Sequence, residues 1–312
     1  MKKICCSIAV VVLLSTLTAC GQTDAQVKES NEKINLVFDN YGDQVKISEV
    51  PQKVITMGPS SSELFCALGI SDKIIGNTLD NHSRGALPEY KKDYDKIPEL
   101  NYGSATREAV LSSEADFIYG IDWDFGEEGL DKQELDDYGI NVYLNRAKTI
   151  EEEYQEITDI GKIFKVEDQA EAFIADQKQR IEKVENQTKE SNRKRVLVFD
   201  SGEKGIFTCS GSNFESLLIR KAGGINLFED LKDKDWLTVS EEEVLARDPE
   251  VIIVHDYDQP PVADKIKQIK NDPVLSKTTA VRENKIITVP LESVLPGPRM
   301  ATTIELFQQA FN

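Results

Sequence analysis

Histidine is nearly absent from this chain. It occurs twice in 312 residues, at His82 and His255, with no cluster of partners at metal-ligand spacing, so directly coordinated Zn2+ or Mn2+ is not expected. Also missing are the Gly-x-Ser-x-Gly elbow, the Gly-x-x-x-x-Gly-Lys phosphate loop and the Gly-x-Gly-x-x-Gly fingerprint, which argues against three large enzyme classes. Basic residues are in deficit. Thirty-seven Lys and Arg face 55 Asp and Glu, and the net charge of -18 repels nucleic acid and anionic lipid surfaces. No apolar run reaches the length needed to span a bilayer. With 312 residues, the chain fits two domains of ordinary size.

What is present begins at the N-terminus. Lys2 and Lys3 precede a short apolar run, Ile8 to Leu14, and then Leu17-Thr18-Ala19-Cys20-Gly21. This resembles a bacterial lipobox. The resemblance implies cleavage before Cys20 and a diacylglyceryl anchor on its sulfur, stable because more than one acyl chain holds it. The protein would then sit on the outer face of the cytoplasmic membrane, touching the membrane only through Cys20. Removing Lys2 and Lys3 takes the side-chain charge from -18 to about -20. Gln22 to Lys33 is polar, lacks aromatics and reads as a flexible tether. Cys5 and Cys6 leave with the signal. Cys66 and Cys209 remain in different lobes and are expected as buried thiols, because a disulfide between them would cross-link the lobes.

Two stretches read as one module used twice. One runs from Thr106 to Gly120 and the other from Ser240 to Val254, 134 residues later. Each opens on a hydroxyl residue suited to an N-cap, enters a short helix with a Val-Leu pair, passes an acidic turn and ends in a buried strand. Each carries a glutamate two residues after the cap, Glu108 and Glu242. At Ser240 the capping-box spacing assigns the local role to Glu243 and leaves Glu242 pointing outward. Strands alternate with helices along the rest of the chain, so the expected fold is α/β: two similar lobes with mainly parallel sheets, joined by one long helix. The expected boundaries are signal peptide 1–19, lipidated tether 20–33, N-terminal lobe 34–165, bridging helix 166–192 and C-terminal lobe 193–312. The uninterrupted helical run from Glu167 to about Thr188 is long enough to join two lobes, about 30 Å for some twenty residues.

Several segments resemble the ABC-importer binding proteins for iron–siderophore complexes, heme and cobalamin. Val50-Pro51-Gln52-Lys53-Val54-Ile55-Thr56 with Ser62-Glu63-Leu64 and Ala67-Leu68-Gly69 is similar to their opening. Trp236, Val239-Ser240, Glu242, Val244-Leu245-Ala246 and Asp248-Pro249 are similar to their second-lobe signature. Ala222 to Phe228 and Gly297-Pro298-Arg299 also match. The resemblance implies a ligand in the interlobe cleft and only small opening and closing. It also implies Glu108 and Glu242 seated in arginine pockets of a permease dimer served by ATPase subunits.

In open α/β sheets ligands bind beyond the C-terminal strand ends. The loops there carry Ser60, Ser61, Asn81 to Arg84, Tyr102, Trp123, Arg146, Ser201, His255, Tyr257 and Arg299, with Trp236 ahead of the second module. The expected ligand-binding set is Arg299 foremost, then Tyr102, Trp123, Arg146, His255, Tyr257, Arg84, Ser61 and Trp236. Rings supply flat area and guanidiniums pair with oxygen anions, which suits an Fe(III)-siderophore complex carried as ligand with no resident cofactor. His255 is expected at the cleft mouth, where in a heme-binding reading it would ligate iron. Heme and cobalamin stand as alternatives, and a carboxylate-based surface hydrolase or an adhesin lipoprotein as readings of another class. A monomer is expected.

Overall fold

The computed structural model describes residues 32–126, 129–188, 192–202 and 204–312, so Cys20 lies outside the described residues. The described chain opens with an antiparallel hairpin, β1 (Lys33–Asn40) and β2 (Asp43–Glu49), in which Phe38, Val45 and Ile47 turn inward on alternate positions. The first lobe follows as β3 (Val54–Met57), α1 (Ser61–Ala67), β4 (Ile74–Thr78), α2 (Lys91–Tyr94), β5 (Glu99–Asn101), α3 (Arg107–Ser112), β6 (Phe117–Ile121), α4 (Lys132–Asp137) and β7 (Asn141–Asn145). Its five strands run parallel in the order β5-β4-β3-β6-β7. β3 and β6 are buried along their whole length, as parallel strands covered on both faces must be. The strand order reverses between them, and the loops after these two strands therefore open onto a crevice. Gly58 turns the first of these loops at φ +108, where a Cβ would meet the Ile121 side chain at 2.9 Å.

Two helices lead out of this lobe, α5 (Ile150–Phe164) and α6 (Glu167–Gln187). They cross closely at Gly161, where a Cβ would meet that of Ala170 at 2.8 Å. The 21 residues of α6 span about 32 Å at 1.5 Å each. α6 buries Ala170, Ile174 and Ile181 in the main core and is bolted to the last helix by polar contacts. Arg180 donates to both oxygens of Glu305, at 3.0 and 2.6 Å, and the buried Gln177 accepts the Ala301 amide at 2.9 Å.

The second lobe comprises β8 (Lys194–Phe199), β9 (Ile206–Cys209), α7 (Phe214–Lys221), β10 (Gly224–Asn226), β11 (Trp236–Val239), α8 (Glu241–Arg247), β12 (Val251–Asp256), α9 (Val262–Asn271), α10 (Thr279–Arg282), β13 (Ile286–Pro290) and α11 (Met300–Phe311). Its parallel sheet is ordered β10-β8-β12-β13, with β9 and β11 forming a separate antiparallel ribbon that sequence reading did not anticipate. The two sheets and the long helix give the expected two-lobed α/β fold. Cys66 and Cys209 are free, buried thiols.

The repeated module holds in detail. Thr106 accepts the Ala109 amide and Ser240 the Glu243 amide, each capping a short helix that feeds a central strand, β6 or β12. The capping box expected at Ser240 forms only by half, because the Glu243 carboxylate runs to Arg247 at 3.2 Å.

Candidate functional site

Between the lobes lies a cleft of about 380 Å³. The first lobe lines it with Ile121 to Trp123 after β6 and Asn145 to Lys148 after β7. The second contributes Ser212 to Phe214, Asp235, Trp236 and Val294 to Pro296. Trp123 projects from a single 3-10 turn and is 45% exposed. That turn is pinned by Asp124, which accepts the Ala105 amide at 2.8 Å. Opposite, Trp236 stacks on Phe207 with ring centres 5.3 Å apart. Arg146 lies 2.8 Å from Asp122 through Nε, but the N–H is not aligned on the carboxylate as a hydrogen bond. Of the sequence-predicted residues, the structure brings Trp123, Arg146 and Trp236 together here.

Two sets of interlobe contacts flank this cleft. On one side Lys148 reaches across to Asp235 at 3.2 Å, and Ser212 donates to the same carboxylate at 3.0 Å. On the other, Arg84 binds Asp256 at 2.9 Å and Asp258 at 3.0 Å, and the Tyr102 hydroxyl also donates to Asp258. The Tyr102 hydrogen bond and the Arg84 guanidinium hold the Asp258 carboxyl below the usual carboxylate range. His82 stacks on Tyr257 at 5.7 Å and meets Trp123 edge-on at 5.5 Å, and the Asp258 amide donates to the Asn81 carbonyl. Burial lowers the His82 pKa. Arg84 and Tyr102 are thus occupied in joining the lobes.

Four expectations are corrected. Arg299 is 3% exposed and does not reach the cleft. Gly297, two residues earlier, packs so tightly on Ser60 of the first lobe that a Cβ would sit 2.9 Å from the serine's own. Arg299 pairs with Glu63 at 2.6 Å and donates to the Gly85 carbonyl at 2.6 Å in the first lobe, and within its own lobe donates to Ser293 at 3.1 Å and lies 3.5 Å from Glu292. Burial raises the Glu63 and Glu292 pKa values even so. His255 is fully buried, with Nδ1 at 3.0 Å from Asp200 and Nε2 at 3.0 Å from Glu215, so neither ring nitrogen is open to a metal. Burial by itself would lower its pKa, but Glu215 and Asp200 together raise it to about 9. Tyr257 is buried and donates to Asp200 at 2.8 Å. Ser61 is buried and donates to the Met57 carbonyl at 2.7 Å, serving the turn into α1. Sequence reasoning missed Lys148, Asp235 and Ser212, none of which sits in a recognisable local pattern.

Glu108 and Glu242 occupy the same second helical position in α3 and α8. Both are exposed, and neither makes an ion pair or hydrogen bond among the described residues. Among the described residues no cluster of His, Cys, Asp or Glu could hold a metal ion, and no helix is long and apolar enough to cross a membrane.

Comparison with known proteins agrees with this architecture. The family described as periplasmic binding protein matches residues 54–292. An uncharacterized ABC transporter substrate-binding lipoprotein of Bacillus subtilis is 24% identical over 307 residues, covering 95% of this chain and 93% of the relative. A vitamin B12-binding protein of Photorhabdus laumondii is 25% identical over 205 residues, 65% of this chain and 70% of that protein. Among solved structures, an ABC-type Fe3+-hydroxamate transport system from Saccharomonospora viridis superposes with a TM-score of 0.74 at 23% identity, covering 89% of this chain and 99% of that one, and shares the fold.

Proposed function

Because the chain belongs to the periplasmic binding protein family, we propose that it captures a ferric siderophore in the Trp123–Arg146–Trp236 cleft and delivers it to an ABC permease. It is a substrate-binding protein of ABC-type import and not an enzyme. The observation that carries the ligand reading is the cleft wall itself. Two indole faces supply flat apolar area, and a guanidinium imperfectly matched to its own acid keeps donors for an oxygen-rich anion. The Fe3+-hydroxamate relative supports the same class. Cobalamin is the second reading, favoured by the vitamin B12-binding relative. A heme reading loses its iron ligand, since both nitrogens of His255 are engaged.

Glu108 and Glu242 are the docking acids of this reading, matched in position and without an ion pair or hydrogen bond among the described residues. Lipidation at Cys20 rests on the Leu17-Thr18-Ala19-Cys20 sequence and on a Bacillus relative named as a lipoprotein. The protein would act as a monomer on the outer face of the cytoplasmic membrane.

The test is fluorescence quenching with ferric hydroxamates, ferric catecholates, heme and cobalamin. Both tryptophans of the chain line the cleft, so both report on it. Saturable one-to-one quenching by a ferric siderophore alone is expected. Selective quenching by cobalamin or heme would overturn the ligand and keep the transport role.

A further inference from the structure

Behind the cleft, α5 carries Glu153 and Glu156 one turn apart on its sheet-facing side, 0% and 2% exposed. Each uses only one oxygen. Glu153 Oε2 accepts from Asn145 Nδ2 at 2.9 Å. Glu156 Oε1 accepts the Arg146 amide at 3.1 Å and the Tyr41 hydroxyl. Glu153 Oε1 and Glu156 Oε2 are buried without any hydrogen-bond partner, and so is Asn145 Oδ1. Bare carboxylate oxygens inside a protein are costly, and two ionised neighbours add repulsion.

No cation among the described residues pairs with them. The groups that face the pair are Tyr41 from the β1–β2 hairpin, Tyr119 from β6, Tyr143 from β7, and Glu152 and Asp159 from α5 itself. Arg146 sends its guanidinium away to Asp122. A carboxyl proton is the smallest ligand that converts an orphan acceptor into a donor, and it removes the charge that makes a bare buried carboxylate oxygen costly. Glu156 keeps its Oε1 bonds whether or not Oε2 is protonated.

We propose that Glu153 and Glu156 together hold one proton on the alkaline side of neutrality, and that Glu156 is a positioning residue for the strip Asn145 to Lys148 that lines the cleft. The second half rests on the cleft reading above. Burial raises both carboxyls, Glu153 to about 7 against the opposing bond from Asn145, so a second proton enters near neutrality. Acidification then replaces a charged acceptor of Asn145 by a neutral one, which weakens that bond. The cleft floor is held most firmly above that step.

The experiment is a pH titration of the purified protein without chelate, followed by NMR at the glutamate side-chain carboxyl carbons and the Arg146 amide proton. Expected are one carboxyl of the pair still protonated above the step, a second protonation at about pH 7, and an Arg146 amide shift in that same step. Glu153→Gln should abolish the step at Arg146. Glu156→Gln, which mimics the protonated acid, should leave the Arg146 resonance in place, whereas Glu156→Ala should displace it. Two ionised carboxyls at neutral pH, or an Arg146 amide that ignores pH, would overturn the proposal. So would a Glu156→Gln protein displaced as far as Glu156→Ala. If Glu156→Ala fails to fold, the wild-type titration decides alone. Failure to bind any chelate leaves this titration intact, so the two readings fail separately.

Discussion

Replacing Arg299 by leucine separates a strut from a ligand contact. Among the described residues the guanidinium is the only cation paired with the fully buried carboxyls Glu63 and Glu292, and it also satisfies Ser293 and the Gly85 carbonyl. Removing one partner of a buried ion pair costs about 3–5 kcal/mol, because the survivor stays desolvated. Here two carboxyls survive, so the upper half of that range is expected at pH 7. The loss should shrink in acid. Glu63 and Glu292 already sit above the ordinary glutamate value through burial, and loss of Arg299, which pulls both down, raises them further. A group with a raised folded pKa favours the folded state below its unfolded value and loses that contribution as pH rises through the folded value. The variant therefore recovers stability relative to wild type as pH falls toward the unfolded glutamate range. Urea denaturation at several pH values measures this. Chelate affinity of the folded variant should change little. A stability loss under about 1 kcal/mol together with abolished binding would refute the strut and restore Arg299 to the ligand site.

Glu108→Ala combined with Glu242→Ala should leave chelate affinity intact and abolish uptake by cells; normal uptake would remove both acids from docking. His255→Gln should cost roughly 3 kcal/mol near pH 6, from a shift of the 6.5 reference to about 9. That raised value makes the contribution complete below pH 6.5 and lost as pH rises through about 9, so the gap between wild type and variant should close across this window in thermal or urea unfolding. A gap constant with pH would mean that His255 acts by packing. Lys148→Ala removes a half-exposed ion pair and should change stability by less than about 1 kcal/mol while speeding chelate dissociation in stopped flow; unchanged dissociation would deny it any part in gating.

The alternation of strands and helices, the module at Thr106 and Ser240, and the long α6 were legible because each is a local pattern with its own caps and periodicity. The place of Trp123 on the cleft wall was legible because it sits on a loop beyond the C-terminal end of a strand. Arg299 was misread because its partner Glu63 lies 236 residues away, and no local signal announces such a pair. Lys148 and Asp235, 87 residues apart, were missed for the same reason. His255 was placed at the cleft mouth because it nears a strand end. β12 is a central strand buried on both faces, however, and α7 closes over it with Glu215. The β9–β11 ribbon escaped notice because its strands are four residues each and lie 26 residues apart, from Cys209 to Trp236 with both ends excluded.

The interlobe contacts differ in strength by enough to divide their roles. Lys148–Asp235 and Arg84–Asp258 are partly exposed, and each is worth at most about 1 kcal/mol. The Arg299 cluster is desolvated, and breaking it costs several times that. α6 adds a continuous helix clamped to α11 by Arg180 and Gln177. On the proposed reading an arriving ligand would be able to exchange the outer pairs for contacts of its own more readily than it could break the strut. Movement would then be confined to the rim. The separation of Glu108 and Glu242 is then nearly the same with the cleft empty or filled, so a permease that grips both acids would read occupancy from the rim rather than from the spacing of the lobes.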